Sequence, residues 1–437
     1  MSAVSAPAFA FNDQGFADFL ESRNEPQWVR TQREKAWKSF SQMQWPARNA
    51  EEWIRTDIRL FKLEKFQLAA ADSVSTATWK PHLSEGVEFA GTSSHLDGKS
   101  TSFTLDPALA AKGVLFGDLD QYVQSHGDLL KPYLNRLVSP EIDRFSALHA
   151  AFWNCGHVLY VPRGVTIEKP FYAATALSDG QVCTSHTLVI LEEGASATLL
   201  SESASVDEKN SGLQIGGTEI LVKQGGNLRY VNLQDWGKGV WCFGHKQANV
   251  EQDANLQWTL AAIGSRLAKV NQHVALTGPG ANAQVNGVLF TEGSQHLSYH
   301  TLQHHKAPHC KSDFLYKAAL QDQSRTVWRG MIKVDQGASK TDGYQRNDNL
   351  LLSRTARADS IPGLEINHDD VRCTHGSTSG KVDEELIFYA QCRGYTRKEA
   401  IRMIVSGFFQ QIFDRITIDS VRDALARVIA TRVHDIA

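Results

Sequence analysis

The middle of the chain repeats the pattern of HTLVILEEGASATLL (186–200), in which an apolar strand, a turn of small residues and a second strand follow one another. The further copies read TEILVKQGGNLRYVN (218–232), HKQANVEQDANLQWTL (245–260), QHVALTGPGANAQVNG (272–287), LQHHKAPHCKSDFLYK (302–317) and GMIKVDQGASKTDGYQ (330–345). The turns recur after 31, 28, 27, 29 and 28 residues, counted at Ala195, Gly226, Ala254, Ala281, Cys310 and Ala338. A period of this length indicates a solenoid.

The repeat predicts a mainly β fold. Short alternating strands, with Gly, Asn and Asp in the turns and no helical pattern between them, favour a parallel β-helix over a helical array. Each coil can bury its apolar face only against its neighbours, so the repeats form one continuous domain. The general preference of parallel crossovers makes the expected coil right-handed. An antiparallel β-sandwich with coincidental spacing is the alternative.

Helical regions flank the repeat, and they divide the chain into three predicted parts. Residues 1–147 form an N-terminal helical and mixed region, in which Phe16, Phe19 and Leu20 make one apolar stripe. Residues 148–380 form the β-helix core, and residues 381–437 form a C-terminal helical domain. Since the terminal coils of a solenoid expose strand edges, we expect the flanking helices to cover its ends.

Two capping boxes predict the starts of the C-terminal helices. Thr396 with Glu399 opens the first helix, and Ser420 with Asp423 opens the second. The apolar face expected for the first helix consists of Ala400, Met403, Ile404, Gly407, Phe408, Gln411 and Ile412.

Composition argues against several classes of partner. The 437 residues include 45 basic and 48 acidic side chains, and a net charge of -3 gives no electrostatic reason to bind nucleic acid or an anionic membrane. No run of about 18 apolar residues and no signal peptide pattern occurs, so we expect a cytoplasmic protein. The six cysteines are spread along the chain, which indicates reduced and mostly buried thiols.

Cys373 and His375 are the candidate metal ligands. They lie two residues apart in a segment that reads as a strand, so both side chains point to the same face, about 6.6 Å apart along it. Zinc or an iron–sulfur cluster usually takes about four such ligands. No Cys-x-x-Cys pair occurs in the chain to supply the others, so a partner chain would have to complete the site.

Three separated motifs carry a family resemblance that spans most of the chain. They are EEWIRTDIRLFKLEKF (51–66), LHAAFWNCGHVLYVPRGVTIEKP (148–170) and LEINHDDVRCTHGSTSGKVDEELIFYAQCRG (364–394). In this order they resemble the SufB/SufD family of the SUF iron–sulfur cluster assembly system. The segment around Cys373 and His375 is similar to the SufD branch and differs from the SufB version.

The resemblance implies a fold, partners and a site. The fold is a right-handed parallel β-helix between helical domains. The implied partners are SufB in a heterodimer and the SufC ATPase, docked through the C-terminal helices at Phe408, Phe409, Ile412 and Phe413, with a homodimer as an option when SufB is absent. His375, with Cys373, would contribute to iron acquisition and to a transient iron or iron–sulfur cluster at the SufB interface. Reduced flavin is implied for the complex, although the chain has no flavin motif. The chain itself is not expected to be an enzyme.

Two other functions are alternatives for a chain with this fold. β-Helix solenoids also serve as polysaccharide lyases and hydrolases, and a plain interaction scaffold would need no metal chemistry. No Gly-x-Ser-x-Gly elbow is present, and Ser93 stands where a phosphate loop needs its first glycine. The histidines between His296 and His309 suit one face of a helix, but within strands they scatter over both faces and are expected to be mostly structural or exposed.

Overall fold

The computed structural model describes residues 8–69 and 77–433, and its centre is a solenoid of strands with helices along its sides. The strands are β1 Ala8–Ala10, β2 Gln67–Ala69, β3 Gly91–Leu96, β4 Lys99–Leu105, β5 Leu115–Asp118, β6 Cys155–Val161, β7 Phe171–Leu177, β8 Val182–Leu191, β9 Ser196–Ser205, β10 Ser211–Val222, β11 Asn227–Asp235, β12 Gly239–Val250, β13 Asn255–Ala262, β14 Leu267–Leu276, β15 Asn282–Thr291, β16 His296–His305, β17 Lys311–Leu320, β18 Arg325–Val334, β19 Thr341–Leu351, β20 Arg357–Ile366 and β21 Val371–Lys381.

The helices lie before and after the solenoid. They are α1 Asp13–Glu21, α2 Gln27–Gln42, α3 Pro107–Ala110, α4 Leu119–Ser125, α5 Gly127–Leu130, α6 Arg144–Phe152, α7 Glu384–Cys392, α8 Arg397–Phe413 and α9 Asp419–Arg432. A short 3-10 turn covers Leu63–Lys65.

Two sheets face each other across the solenoid core. One sheet, called the odd sheet, contains the odd-numbered strands from β7 to β21, and the even sheet contains the even-numbered strands from β6 to β20. Neighbouring strands of this series are parallel, so each coil supplies one strand to each sheet, and the described part of the chain makes about 8 coils. The predicted parallel β-helix is confirmed and the antiparallel sandwich is wrong. The right hand of the coil stays a prediction.

The small residues at the turns join one coil to the next. The main-chain N–H of Asn227 donates to the carbonyl of Ala195 at 2.8 Å, and that of Asn255 donates to the carbonyl of Gly226 at 2.8 Å. The side-chain amide of Asn255 also donates to the Asn227 side chain at 3.0 Å. Ala195 and Gly226 are buried, so a larger side chain at these turns would press on the neighbouring coil. The turn positions that reveal the repeat in the sequence are therefore the points where the coils stack.

The two ends of the solenoid differ. At the first coil, β4 pairs antiparallel with β3 in the odd sheet, and β5 pairs antiparallel with β6 in the even sheet. At the last coil, β20 pairs only with β18 and β21 pairs only with β19 among the described strands. The outermost strands at the first end are therefore the antiparallel β4 and β5, of 7 and 4 residues, whereas the last coil ends on the longer parallel edges of β20 and β21, of 10 and 11 residues.

The C-terminal helices cover a side of the solenoid, and the expectation that they cover its end is wrong. Phe409 of α8 and Leu425 of α9 are buried in one cluster with Val231, Val288 and Phe290 on the outer face of the odd sheet. These outward side chains are apolar, so the face itself requires a cover. The open edges of the last coil consequently remain accessible.

Two details of the predicted C-terminal helices also change. The Thr396–Glu399 capping box is confirmed, but α9 begins after Ile418 without a side-chain cap, so the box expected at Ser420 is wrong. Helix α8 buries a different face from the expected one, which leaves Met403 exposed. Its buried residues are Ala400, Ile401, Val405, Phe409, Ile412 and Phe413.

The N-terminal helices cover part of the other sheet. The predicted stripe of Phe16, Phe19 and Leu20 is buried, and the Phe152 ring at the end of α6 contacts both phenylalanine rings. The same cluster includes outward residues of β10 and β12, such as Ile215. The N-terminal helices thus pack on the outer face of the even sheet, and the C-terminal helices pack on the outer face of the odd sheet.

A buried carboxylate fixes the N-terminal region to the solenoid. Glu219 of β10 is fully buried and accepts hydrogen bonds from the main-chain N–H groups of Asn135 at 2.7 Å, Leu137 at 2.5 Å and Val138 at 2.9 Å. The Nε2 atom of His186 lies 3.0 Å from the same carboxylate. A buried charge with this many donors replaces its hydration shell by protein, so losing it leaves several amides unsatisfied.

We therefore predict that Glu219→Gln lowers the free energy of unfolding by roughly 2–4 kcal/mol, because one acceptor of a buried hydrogen-bonded network becomes a donor. Glu193→Gln is the matched control, since Glu193 is exposed and its ion pair with Arg163 at 3.0 Å should contribute at most about 1 kcal/mol. Thermal and urea denaturation measure both variants. Equal losses in the two variants would contradict this role of Glu219.

Candidate functional site

The last coil has the properties of an unfinished sheet. Strands β20 and β21 each expose one row of backbone N–H and C=O groups, over 10 and 11 residues. Exposed edges of this length are templates for pairing with another strand. We call the edges together with the inward side chains of these two strands the open end.

Cys373 and His375 both face the open end. In the register of β21 on β19, Cys373 lies opposite Gly343 and His375 lies opposite Gln345. Gly343 and Gln345 are buried inside the solenoid, so their partners on β21 point toward the same interior face. The alternation predicted from the sequence therefore places the thiol and the imidazole side by side on the uncovered coil.

The Cys373 thiol is half-buried at an apolar corner. It packs against a cluster of Ile332, Val334 and Ala338, and its Sγ lies 3.3 Å from the position that a Cβ on Gly343 would occupy. Partial burial raises the pKa of Cys373, and the nearby Asp342 carboxylate adds to the increase. The thiol is thus protonated at neutral pH in the free chain and needs a cation to become a thiolate ligand.

The His375 imidazole is exposed and forms no hydrogen bond with any residue in the described ranges. Opposite it, Gln345 donates through Nε2 to the carbonyl of Gly363 at 3.0 Å, while its buried Oε1 atom has no partner among those residues. The buried Ser360 hydroxyl on β20 also lacks one.

The β20 side of the open end is apolar. Leu364 and Ile366 are inward residues by their register with Ile332 and Val334, yet 40% and 38% of their surfaces are exposed. In an inner coil these positions would be covered by the next strand. The open end therefore combines an apolar surface, unpaired backbone groups and two soft metal donors.

The donor set of this chain is incomplete for a cluster. In residues 8–69 and 77–433, no three His, Cys, Asp or Glu side chains come together in a geometry that could hold a metal ion. Cys373 and His375 fit a metal by chemistry, as a thiolate and an imidazole, but they provide two of about four ligands. Their metal role stays a prediction.

The histidines between 296 and 309 lie on both faces of β16, as expected for a strand: His296, His300 and His304 share its outer face, while His305 lies on the inner face and His309 in the turn that follows. His305 is buried, with its Nε2 atom 2.8 Å from the Ser312 hydroxyl. His304 lies 3.0 Å from the Asp335 carboxylate, and its ring stacks on His273. His309 is exposed in a turn. These contacts are structural.

The predicted partner-binding residues of α8 are mostly covered by this chain itself. Phe409, Ile412 and Phe413 are buried against the odd sheet, and Phe408 is half-buried with the Lys317 ammonium 4.9 Å from its ring centre. Sequence reasoning missed the exposed residues nearby. They are Leu386, Phe388, Tyr389, Tyr395 and Met403, which lie on α7, on α8 and between them, and we call these exposed residues together the C-terminal apolar patch.

The remaining cysteines divide by position. Cys155, Cys183, Cys242 and Cys310 are buried, which confirms the expectation of mostly buried thiols, and Cys392 is exposed. The Sγ atoms of Cys155 and Cys183 lie 3.4 Å apart. Burial raises the pKa of Cys242 to about 12.

As for membranes, none of the helices in the described residues combines the length and apolar character needed for a crossing.

Comparison with known proteins gives one consistent result. Residues 173–408 match the family described as "SUF system FeS cluster assembly, SufBD core domain", and residues 16–172 match "SufBD protein N-terminal region". A curated protein of Staphylococcus saprophyticus named iron-sulfur cluster assembly SufBD family protein is 27% identical over 398 residues, covering 89% of this chain and 86% of the relative. A protein of the same name from Staphylococcus epidermidis is 26% identical over 403 residues, covering 90% and 87%.

We predict that a maleimide labels Cys392 first and Cys373 more slowly, because partial burial and a raised pKa reduce both access to the Cys373 thiol and its thiolate fraction. Raising the pH should speed labelling at Cys373, since more thiolate forms. The four buried cysteines should react only after unfolding. Peptide mass spectrometry over a time course measures each site. Labelling of Cys373 as fast as that of Cys392 would contradict the placement of its thiol.

Proposed function

We propose that this chain, which belongs to the SufBD family of iron–sulfur cluster assembly proteins, is the SufD subunit of a SUF complex and works where its last coil meets SufB. The observation that carries the proposal is the open end, where two unpaired strand edges and two metal donors coincide. The family match favours cluster assembly over a polysaccharide lyase. The plain scaffold remains the alternative that experiments must exclude.

Pairing with SufB would continue the solenoid across two chains. A paralogous subunit with a similar last coil can align its own edge strands with β20 and β21, so that both sheets gain backbone hydrogen bonds at once. Leu364 and Ile366 would then be covered like the inward residues of an inner coil. The same surface is self-complementary in principle, so a homodimer can form when SufB is absent.

The assembled interface would collect ligands for iron. Cys373 and His375 would supply a thiolate and an imidazole from this chain, and SufB would supply the others. Iron and the nascent cluster are substrates here and leave the complex after assembly. Before SufB docks, the raised pKa of Cys373 keeps the thiol protonated, and iron would displace that proton on binding. We assign no catalytic residue to this chain, and a reduced flavin in the complex stays a prediction.

The SufC ATPase would dock on the C-terminal apolar patch. Helix α7 starts at Glu384, three residues after β21 ends at Lys381, so the patch and the metal donors lie on consecutive elements. The intervening Val382 donates its main-chain N–H to Leu351 at 3.0 Å. Movement of α7 on ATP turnover would therefore pull directly on the edge strand. Phe408, Phe409, Ile412 and Phe413 would hold α8 against the odd sheet as the fixed part of this linkage.

In the co-expressed complex, we predict that His375→Ala reduces cluster formation several-fold and that Cys373→Ser reduces it further, while the subunits still associate. Anaerobic reconstitution with ferrous iron and sulfide, followed by iron and acid-labile sulfide assays, measures the effect. His126→Ala is the control, because His126 is an exposed histidine between α4 and α5. Cluster content that is unchanged in the double variant would favour the plain scaffold.

For the ATPase contact, we predict that Phe388→Ser weakens SufC binding at least about tenfold, because this ring is 68% exposed at the patch and would be buried on docking. Its thermal stability should stay unchanged. Leu60→Ser, which alters an exposed apolar residue of the N-terminal region, is the control and should bind normally.

Phe409→Ser should behave differently, with a loss of roughly 3–5 kcal/mol in stability because it empties a buried site. Titration calorimetry with purified SufC and thermal denaturation separate the two effects. Normal SufC affinity in Phe388→Ser would place the docking surface elsewhere.

A further inference from the structure

A second concave surface lies far along the sequence from the open end. The segment between Trp45 and Glu64, together with Arg325 of β18, lines a solvent-open cavity of about 490 Å³. This volume falls in the range of small-molecule sites. The segment includes residues 51–64 of the N-terminal motif EEWIRTDIRLFKLEKF, none of which belongs to the open end.

Three buried anchors hold this segment in place. The Trp53 ring stacks on Phe145 with centres 5.6 Å apart, and the Phe61 ring meets Phe243 at 4.9 Å. Between them the Thr56 hydroxyl donates to the Ser298 hydroxyl of β16 at 2.9 Å. Exposed residues lie between these anchors in the sequence. The anchors therefore fix the backbone that positions the exposed polar side chains.

The cavity is positively charged in a chain whose net charge is -3. Its lining contains two carboxylates, Asp57 and Glu64, and five cations, which are Arg48, Arg55, Arg59, Lys62 and Arg325. Exposed guanidinium groups around one cavity are suited to phosphate, because the planar fork donates two hydrogen bonds to its oxygens.

Only some of these cations are neutralised. Arg59 pairs with Asp57 through Nε at 2.9 Å, and this hydrogen bond lowers the pKa of the Asp57 carboxyl to about 2. Arg325 pairs with Asp359 at 3.0 Å. Within the described residues, Arg48, Arg55 and Lys62 form no ion pair. Three positive charges are therefore available to a ligand.

Flat apolar surface adjoins these charges. Trp45 lines the cavity with 39% of its surface exposed, although the Arg144 guanidinium covers one part of the ring at 4.6 Å. Ile54, which is also exposed, lines the same cavity. An exposed indole beside unpaired cations fits a ligand that carries both a planar ring and phosphate.

We infer that this cavity binds a nucleotide, with its phosphate on Arg48, Arg55 and Lys62 and its ring on Trp45 and Ile54. An acidic peptide is the other occupant that the charge could attract. The nucleotide is favoured because the exposed Trp45 indole and Ile54 line the same cavity as the cations, whereas an acidic peptide would use only the cations. The inference does not depend on cluster assembly at the open end.

Titration calorimetry of the full chain tests the inference with ADP and flavin mononucleotide, which share phosphate but differ in the ring. At least one should bind about tenfold more tightly than inorganic pyrophosphate or adenosine, because only the nucleotide uses both surfaces. The ligand that binds identifies the ring.

Arg48→Gln with Arg55→Gln should weaken binding at least about tenfold, and Trp45→Leu should weaken nucleotide binding but not pyrophosphate binding. Circular dichroism checks that the variants fold.

Arg163→Gln is the control, since Arg163 is an exposed arginine of the solenoid. Three outcomes would overturn the inference. They are no saturable binding of either nucleotide at millimolar concentration, equal affinity for pyrophosphate and nucleotide, and full affinity in the double arginine variant. Binding of a glutamate-rich peptide without either nucleotide would overturn it in favour of a protein partner.

Discussion

A parallel coil satisfies its backbone hydrogen bonds only through the coils on either side, and this constraint determines what the two ends of the solenoid can do. Along the middle, the bonds from Asn227 to Ala195 and from Asn255 to Gly226 repeat the same junction from coil to coil. At the first end the chain reverses direction, and the sheets end on the short antiparallel strands β4 and β5. At the last end the sheets stop on β20 and β21, which are longer parallel strands with no outer neighbour among the described residues.

Helices could cover that end, but in this fold they pack on the outer faces of the two sheets. Residues such as Val288 and Phe290 point away from the core and are as apolar as the residues that point into it. Helices α8 and α9 remove this apolar surface from water. The outer faces of the sheets are thus covered by helices, while the edges of β20 and β21 are unpaired within the described residues. Helix α7 connects β21 to the C-terminal apolar patch.

Much of the fold could be predicted from the sequence, because the period and the small turn residues follow directly from coil stacking. The shared face of Cys373 and His375 could be predicted from strand alternation. The position of the helices could not, since strands such as β15 are apolar on both faces and their alternation does not reveal which face the core takes. The expected buried face of α8 is also shifted by about one residue: the sequence predicts Ile404 and Phe408 on that face, whereas Val405 and Phe409 are buried. The apolar patch around Phe388 was missed because only the packing of α7 and α8 distinguishes its exposed rings from buried ones.

We propose that another subunit completes the last coil. Amide hydrogen exchange of the free chain and of its complex with SufB, with peptides covering β20 and β21, tests this proposal. We expect fast exchange of both strands in the free chain and strong protection of both in the complex, while β6 to β17 stay unchanged. A stable complex in which β20 and β21 exchange as fast as in the free chain would contradict it.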